Sequence, residues 1–114
     1  MDRYIKKILE ASVYEVATET SLQPAASLSV RTGARVLLKR EDEQSVFSFK
    51  IRGAYNKMRQ LSAVDARRGV ITASAGNHAQ GVAMAAKRLG ISACIVMGEN
   101  TPAIKIRAVE RLGA

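Results

Sequence analysis

Residues 70–98 read VITASAGNHAQGVAMAAKRLGISACIVMG, and the way this stretch divides decides the fold. VITAS is rich in β-branched residues and follows Gly69, so it predicts a strand. SAGN is a polar turn. HAQGVAMAAKRLG places Ala79, Val82, Ala86 and Leu89 at helical spacing, with Gly90 as a left-handed stop. SACIVMG at 92–98 predicts the next strand. A strand, a helix of ten or more residues and another strand make a βαβ unit, whose strands run parallel.

Downstream, Thr101-Pro102 opens a last helix with proline at its first position, and Gly113 closes it. Upstream, Ser48 reads as an N-cap, followed by Ile51, Ala54, Tyr55, Met58 and Leu61 on one face of a helix of about four turns. RVLLKRE at 35–41 reads as a strand, and EDEQ beyond it as a charged connection. Residues 18–34 are irregular, with a short helical turn at 24–31. Tyr4, Ile5, Ile8, Leu9 and Val13 predict an amphipathic helix over residues 2–13. The expected class is therefore α/β: a parallel sheet with helices on both faces. The chain ends where a further strand is expected, so residues 1–114 read as an incomplete α/β domain.

Composition bounds the function. Apolar residues make up 47% of the 114 and charged residues 25%, an ordinary globular balance. No apolar run approaches the ~20 residues of a membrane span, and MDRYIKKILEAS lacks the apolar core of a secretory signal. The single cysteine, Cys94, fits a reducing cytoplasm and sits in an apolar strand, where a core role is expected. Net charge is +8, and residues 44–98 hold eight basic residues against Asp65 alone. An anion-binding or nucleic-acid-binding module is one reading of that excess. Its basic residues are dispersed and stacking aromatics are scarce, which argues against nucleic acid.

Two stretches carry chemistry. In SVFSFKIRGAY at 45–55, Lys50 lies at a helix start, where the positive end of the helix dipole and nearby Arg52 favour a neutral amine. Phe47 and Phe49 would supply an apolar wall. A neutral amine attacks carbonyls to form an imine. The alternative is a plain exposed lysine. In the second stretch, Ser74-Ala75-Gly76-Asn77-His78 lies between a strand and a helix, where α/β sheets bind ligands. Its backbone N–H groups would hold a carboxylate or phosphate; the alternative is an ordinary helix cap. Ser74 and His78 form a conceivable nucleophile–base pair, without a third partner. No second His or Cys stands at metal-ligand spacing, so no metal is expected. Gly81 costs about 1 kcal/mol in a helix and suggests a close approach by a neighbour or a cofactor.

LLKREDEQSVFSFKIRGAYNKM at 37–58 and ASAGNHAQGVAMAAKRLG at 73–90 resemble the lysine segment and the asparagine loop of threonine dehydratases (threonine ammonia-lyases). These are fold-type II pyridoxal-phosphate enzymes, related to tryptophan synthase β, and the likeness extends through VMGENTPAIKIRAVERLGA. The form VFSFKIRGAYNKM is most similar to the biosynthetic, isoleucine-pathway enzymes. The resemblance implies that Lys50 carries pyridoxal 5'-phosphate and removes the substrate Cα proton, and that Phe49 lies against the cofactor ring. It further implies that Asn77 bonds the ring's phenolic oxygen and that Ser74, Ala75, Gly76 and His78 line the substrate-carboxylate loop. The implied reaction takes L-threonine, and L-serine, to 2-oxobutanoate or pyruvate and ammonia, in a cytoplasmic homo-oligomer (dimer or tetramer) that binds neither nucleic acid nor membrane. Serine racemase and catabolic serine/threonine dehydratase are the alternatives within the family. The chain departs at Thr20-Ser21-Leu22, where the family has Thr-Pro-Leu, and at Ser45, where proline is common. The family's glycine-rich phosphate loop, the residue facing the pyridine nitrogen and the regulatory domain all lie beyond residue 114. The expectation is therefore an N-terminal part of the catalytic domain that is inactive alone, a non-catalytic fragment.

Overall fold

The βαβ unit forms as the sequence predicts. The computed structural model describes residues 2–114. Strand β3 (Val70–Ala73) pairs in parallel with β4 (Ala93–Val96), joined through helix α5 (Asn77–Leu89), and Ile71 stands opposite Cys94. Helix α3 (Lys50–Arg59) packs along α5, and α6 (Ala103–Glu110) packs on its other side. Ala54, Tyr55 and Met58 of α3 meet Val82, Ala85 and Ala86 of α5, with Val70, Ala93 and Ile95 of the strands beneath. Ala79 and Ala83 of α5 meet Val109 of α6. The alanines keep the helix surface shallow, so three elements can approach α5 at once.

Gly81 shows why. A β-carbon there would stand 3.1 Å from the carbonyl carbon and oxygen of Lys50 and 3.3 Å from the Ile51 nitrogen. The close approach expected at Gly81 is thus to a neighbour, the first turn of α3. Gly69 is constrained twice: φ is +82°, and a β-carbon would meet the Ser92 carbonyl oxygen at 2.8 Å.

Elsewhere the structure departs from expectation. The helix expected over four turns stops at Arg59, and a separate α4 (Ala63–Arg68) follows. Ser62 caps α4 by accepting the Asp65 N–H at 3.1 Å, a Ser-x-x-acid signal legible in the sequence. Ser48 is not the cap of α3. Phe49 occupies that position without a side-chain cap bond, and the buried Ser48 Oγ has no hydrogen-bond partner among the described residues. Phe47 adopts φ 56°, unusual for a bulky residue.

The strand expected at 35–41 narrows to β2 (Leu37–Lys39). It pairs antiparallel with β1 (Leu22–Pro24), outside the parallel pair. A three-residue strand ending in proline gives little period-two signal. Helix α2 (Ala26–Thr32) extends the helical turn expected there and ends at Gly33. Helix α1 (Asp2–Leu9) is shorter than expected, with a 3₁₀ turn at Val13–Glu15 after it. Its apolar stripe is exposed: Ile8 is 72% and Leu9 80% accessible.

The α/β class and the parallel pairing hold. The expected helices on both faces are met on one. Ile71, Ala73, Cys94 and Val96 form the other face and are exposed, so Cys94 is not a core residue. The radius of gyration is 16.8 Å, against about 13 Å for a compact domain of this length. No described helix is long and apolar enough to cross a membrane.

Candidate active site

Lys50 is the first residue of α3, held from behind by the Gly81 approach. Its side chain is exposed and its Nζ lies 5.1 Å from the Phe49 ring centroid. The ring face attracts the ammonium group. Arg52 does not act on Lys50 as a free charge. Its Nε donates to Glu41 Oε2 at 2.8 Å and its NH2 group to Glu41 Oε1 at 2.9 Å. This forked bond holds the Glu41 carboxyl down at about 2 and raises Arg52.

In front of Lys50 lies a cleft of about 430 Å³. Phe49, Lys50, Gly53 and Lys57 of the α3 segment, Thr72 of β3 and His78 of α5 line it, over a floor of Ala54, Met58 and Val82. Lys57 and Thr72 were not singled out by the sequence. The signal for Lys57 was available: seven residues after Lys50 is two helical turns, on the same face.

Asn77 opens α5 four residues before Gly81, one turn away on the same face, so it stands about 6 Å along the axis from the level of the Lys50 backbone. No side chain caps α5, which leaves its first-turn N–H groups open to an anion. Ser74, Ala75 and Gly76 are half-buried, and Asn77 and His78 are exposed. The Ser74 N–H donates to the Val96 carbonyl at 3.0 Å, fixing the turn to the end of β4. Ser74 Oγ accepts the Gly76 N–H at 3.3 Å, and no bond joins it to His78, so the nucleophile–base reading has no support. A β-carbon on Gly76 would meet open space. The structure therefore brings Lys50, Phe49 and His78 to one cleft and sets Ser74–Asn77 at the adjoining helix tip rather than in the cleft wall. Among the described residues no group of three metal-binding side chains forms.

This donor set suits a small carbonyl cofactor and an amino-acid carboxylate: an accessible primary amine, a side-chain amide and uncapped N–H groups. Together, fold and site define an α/β domain that presents an amine at one helix tip beside an open anion-binding tip on the next. Comparison with known proteins identifies which. Residues 13–114 match the pyridoxal-phosphate dependent enzyme family, and the chain belongs to that family. It is 60% identical to the biosynthetic L-threonine dehydratase of Burkholderia multivorans, over 96% of this chain and 22% of that protein. It is 58% identical to the chloroplastic biosynthetic threonine dehydratase of Arabidopsis thaliana, over 97% of this chain and 19% of that protein. Among solved structures, processed threonine deaminase isoform 2 of Solanum lycopersicum superposes with TM-score 0.91 at 56% identity, covering 99% of this chain and 31% of that one. Maize serine racemase superposes with TM-score 0.88 at 38% identity, covering 96% and 34%. The chain thus spans about a fifth of the length of the curated relatives it matches.

Proposed function

We propose that residues 1–114 form the N-terminal part of the catalytic domain of a threonine ammonia-lyase of the biosynthetic, isoleucine-forming type. The supporting observation is Lys50 at the tip of α3, backed by Gly81 and set one turn from the uncapped tip of α5. Identity of 56–60% to proteins named biosynthetic threonine dehydratase, against 38% to maize serine racemase, favours dehydration over racemisation.

In this reading Lys50 Nζ would hold pyridoxal phosphate through its aldehyde and would accept the substrate Cα proton. The cofactor, when bound, supplies a conjugated ring that takes up the electron pair left by that proton. Phe49 would lie against the cofactor ring, and the Asn77 amide would hold its phenolic oxygen. The turn from Ser74 to His78, with the open N–H groups behind it, holds the substrate carboxylate. Loss of the β-hydroxyl with that proton as water, then hydrolysis of the enamine, would give 2-oxobutanoate from threonine, or pyruvate from serine, with ammonia. A homo-oligomeric enzyme in the cytoplasm completes the proposal. The single cysteine supports a reducing compartment, though plant relatives are named chloroplastic.

The test is covalent trapping. The chain is incubated with pyridoxal phosphate, reduced with borohydride, digested and mapped by mass spectrometry. Label concentrated on Lys50 and absent from Lys50→Ala is the expected result. Label spread evenly over Lys6, Lys7, Lys39, Lys57, Lys87 and Lys105 would overturn the assignment of Lys50.

A further inference from the structure

The segment from Gln44 to Phe49 carries Lys50 into place without regular secondary structure, and Phe49 gives α3 no side-chain cap. Ile51 anchors the first turn of α3 by burial against Ala17 and Val46, but apolar burial is non-directional and leaves the orientation of the turn to polar bonds. Glu41 sits at the centre of that region. It accepts the two Arg52 bonds, the Thr20 hydroxyl at 2.7 Å and the Gln44 amide at 3.3 Å. Gln44 is 1% exposed. Its amide clasps the backbone of Thr18 from both sides, accepting the N–H at 2.9 Å and donating to the carbonyl at 2.8 Å. Arg52 donates to the same carbonyl at 3.2 Å. Three stretches far apart in sequence therefore converge two residues from Lys50. Neither Glu41, Gln44 nor Arg52 lines the cleft.

We propose that Glu41 and Arg52 are positioning residues: the forked bond between them, braced by Gln44, sets the first turn of α3 and so aims the Lys50 amine into the cleft. This rests on the proposed role of Lys50. A bidentate arginine–carboxylate pair fixes orientation as well as distance, and a reacting group displaced by about 1 Å loses reactivity by orders of magnitude. The clasp, the Gly81 approach and the burial of Ile51 together hold that turn through three separate contacts.

Lys57 supplies the internal reference, because it shares the helix and the cleft with Lys50 but lies about one and a half turns beyond Arg52. Borohydride trapping is run on the wild-type chain, on Glu41→Gln, which keeps the side-chain size, and on Arg52→Lys, which keeps the charge but loses the fork. Circular dichroism melts fix conditions under which each variant is folded. The Lys50-to-Lys57 labelling ratio should fall by about tenfold in Glu41→Gln and by less in Arg52→Lys. General loosening of the fold would move both lysines together and leave the ratio unchanged. An unchanged ratio in a folded variant overturns the positioning role, and Arg52→Lys decides the matter should Glu41→Gln not fold. No preference for Lys50 in the wild-type chain would instead overturn the role of Lys50, and this inference with it.

Discussion

Two regions of the molecule are held together by different physics. From Lys50 onward, α3, α5, α6 and the parallel strands share apolar contacts, and Tyr55, Ile51, Ala79 and Ala83 are at most 1% exposed. From residue 2 to residue 43, every residue of α1, β1 and β2 whose burial is described is exposed. Apart from one small apolar contact, where Val13, Val16 and Ala17 meet Val46 and Ile51, polar bonds anchor this arm: Thr18 and Thr20 to Gln44 and Glu41, Ser21 to Glu43, and Arg40 to Asp42 and Gln23. The hydrophobic effect scales with buried area and tolerates pH and salt. Charge-assisted bonds are directional and fail when one partner changes protonation. The two regions should therefore respond to different perturbations, and the Lys50 turn lies where they join.

The largest effect should come from the packed region. Gly81→Val would push a branched side chain into the Lys50 and Ile51 backbone, which already lies at 3.1 to 3.3 Å from a β-carbon position. That backbone belongs to a helix and cannot rotate away like a side chain. The helix-propensity gain over glycine is smaller than the overpacking cost, and the net loss should be about 3 kcal/mol. Denaturant unfolding would measure it. Stability equal to wild type would show that α3 slides freely on α5, and the account of a fixed Lys50 would fail.

A smaller effect should appear in acid, and it belongs to the polar arm. The Glu41 carboxyl is held at about 2, against an ordinary 4.5, chiefly by its bonds from Arg52. Glu15, bonded by the Tyr55 hydroxyl, and Asp42, bonded by Arg40, are lowered as well. A carboxyl lowered in the folded state binds fewer protons there than in the unfolded chain. Its contribution is complete above pH 4.5 and drains away as pH falls toward 2. With Glu41 partly open to water, about 1–2 kcal/mol should be lost over that window. Glu41→Gln should start less stable at pH 7 and decline less steeply. Parallel acid curves for the two proteins would remove Glu41 as the source.

The boundary between the two regions also marks how far the sequence could be read. The βαβ unit was legible because its signals are local and agree: β-branched runs, alanine and valine at helical spacing, and Gly90 as a stop. The roles of Lys50 and the 74–78 turn were visible as motifs. Of the wall around them only Lys57 could have been read, two turns on from Lys50 in the same helix; Thr72 joins the cleft through tertiary packing. The clasp was less visible still. Glu41 reads as part of a charged connection, and its partners Thr20 and Arg52 lie 21 residues before and 11 residues after it. Ser48 misled for a related reason. Its residue type suits a cap, yet tertiary packing buries it and leaves the capping position to Phe49. The uncovered strand face was hidden because VITA and ACIV are near-continuous apolar runs, the pattern of strands covered on both faces.

The smallest effect on stability should come from that uncovered face. Ile71 is 72% exposed and Val96 49%, and they flank the exposed Cys94. Most of the transfer free energy of these side chains is not gained on folding, so Ile71→Ser should change stability by no more than about 0.5 kcal/mol. The same residues make a contiguous apolar strip along a parallel pair, the kind of surface that drives association. Ile71→Ser should therefore lower the tendency of the chain to self-associate in sedimentation while leaving its melting curve in place. A melting curve displaced as far as that of Gly81→Val would mean that Ile71 is buried in solution, and the division into a packed region and an open face would have to be redrawn. An unchanged melting curve with unchanged association would place the sticky surface elsewhere, with the exposed stripe of Ile5, Ile8 and Leu9 on α1 the next to substitute.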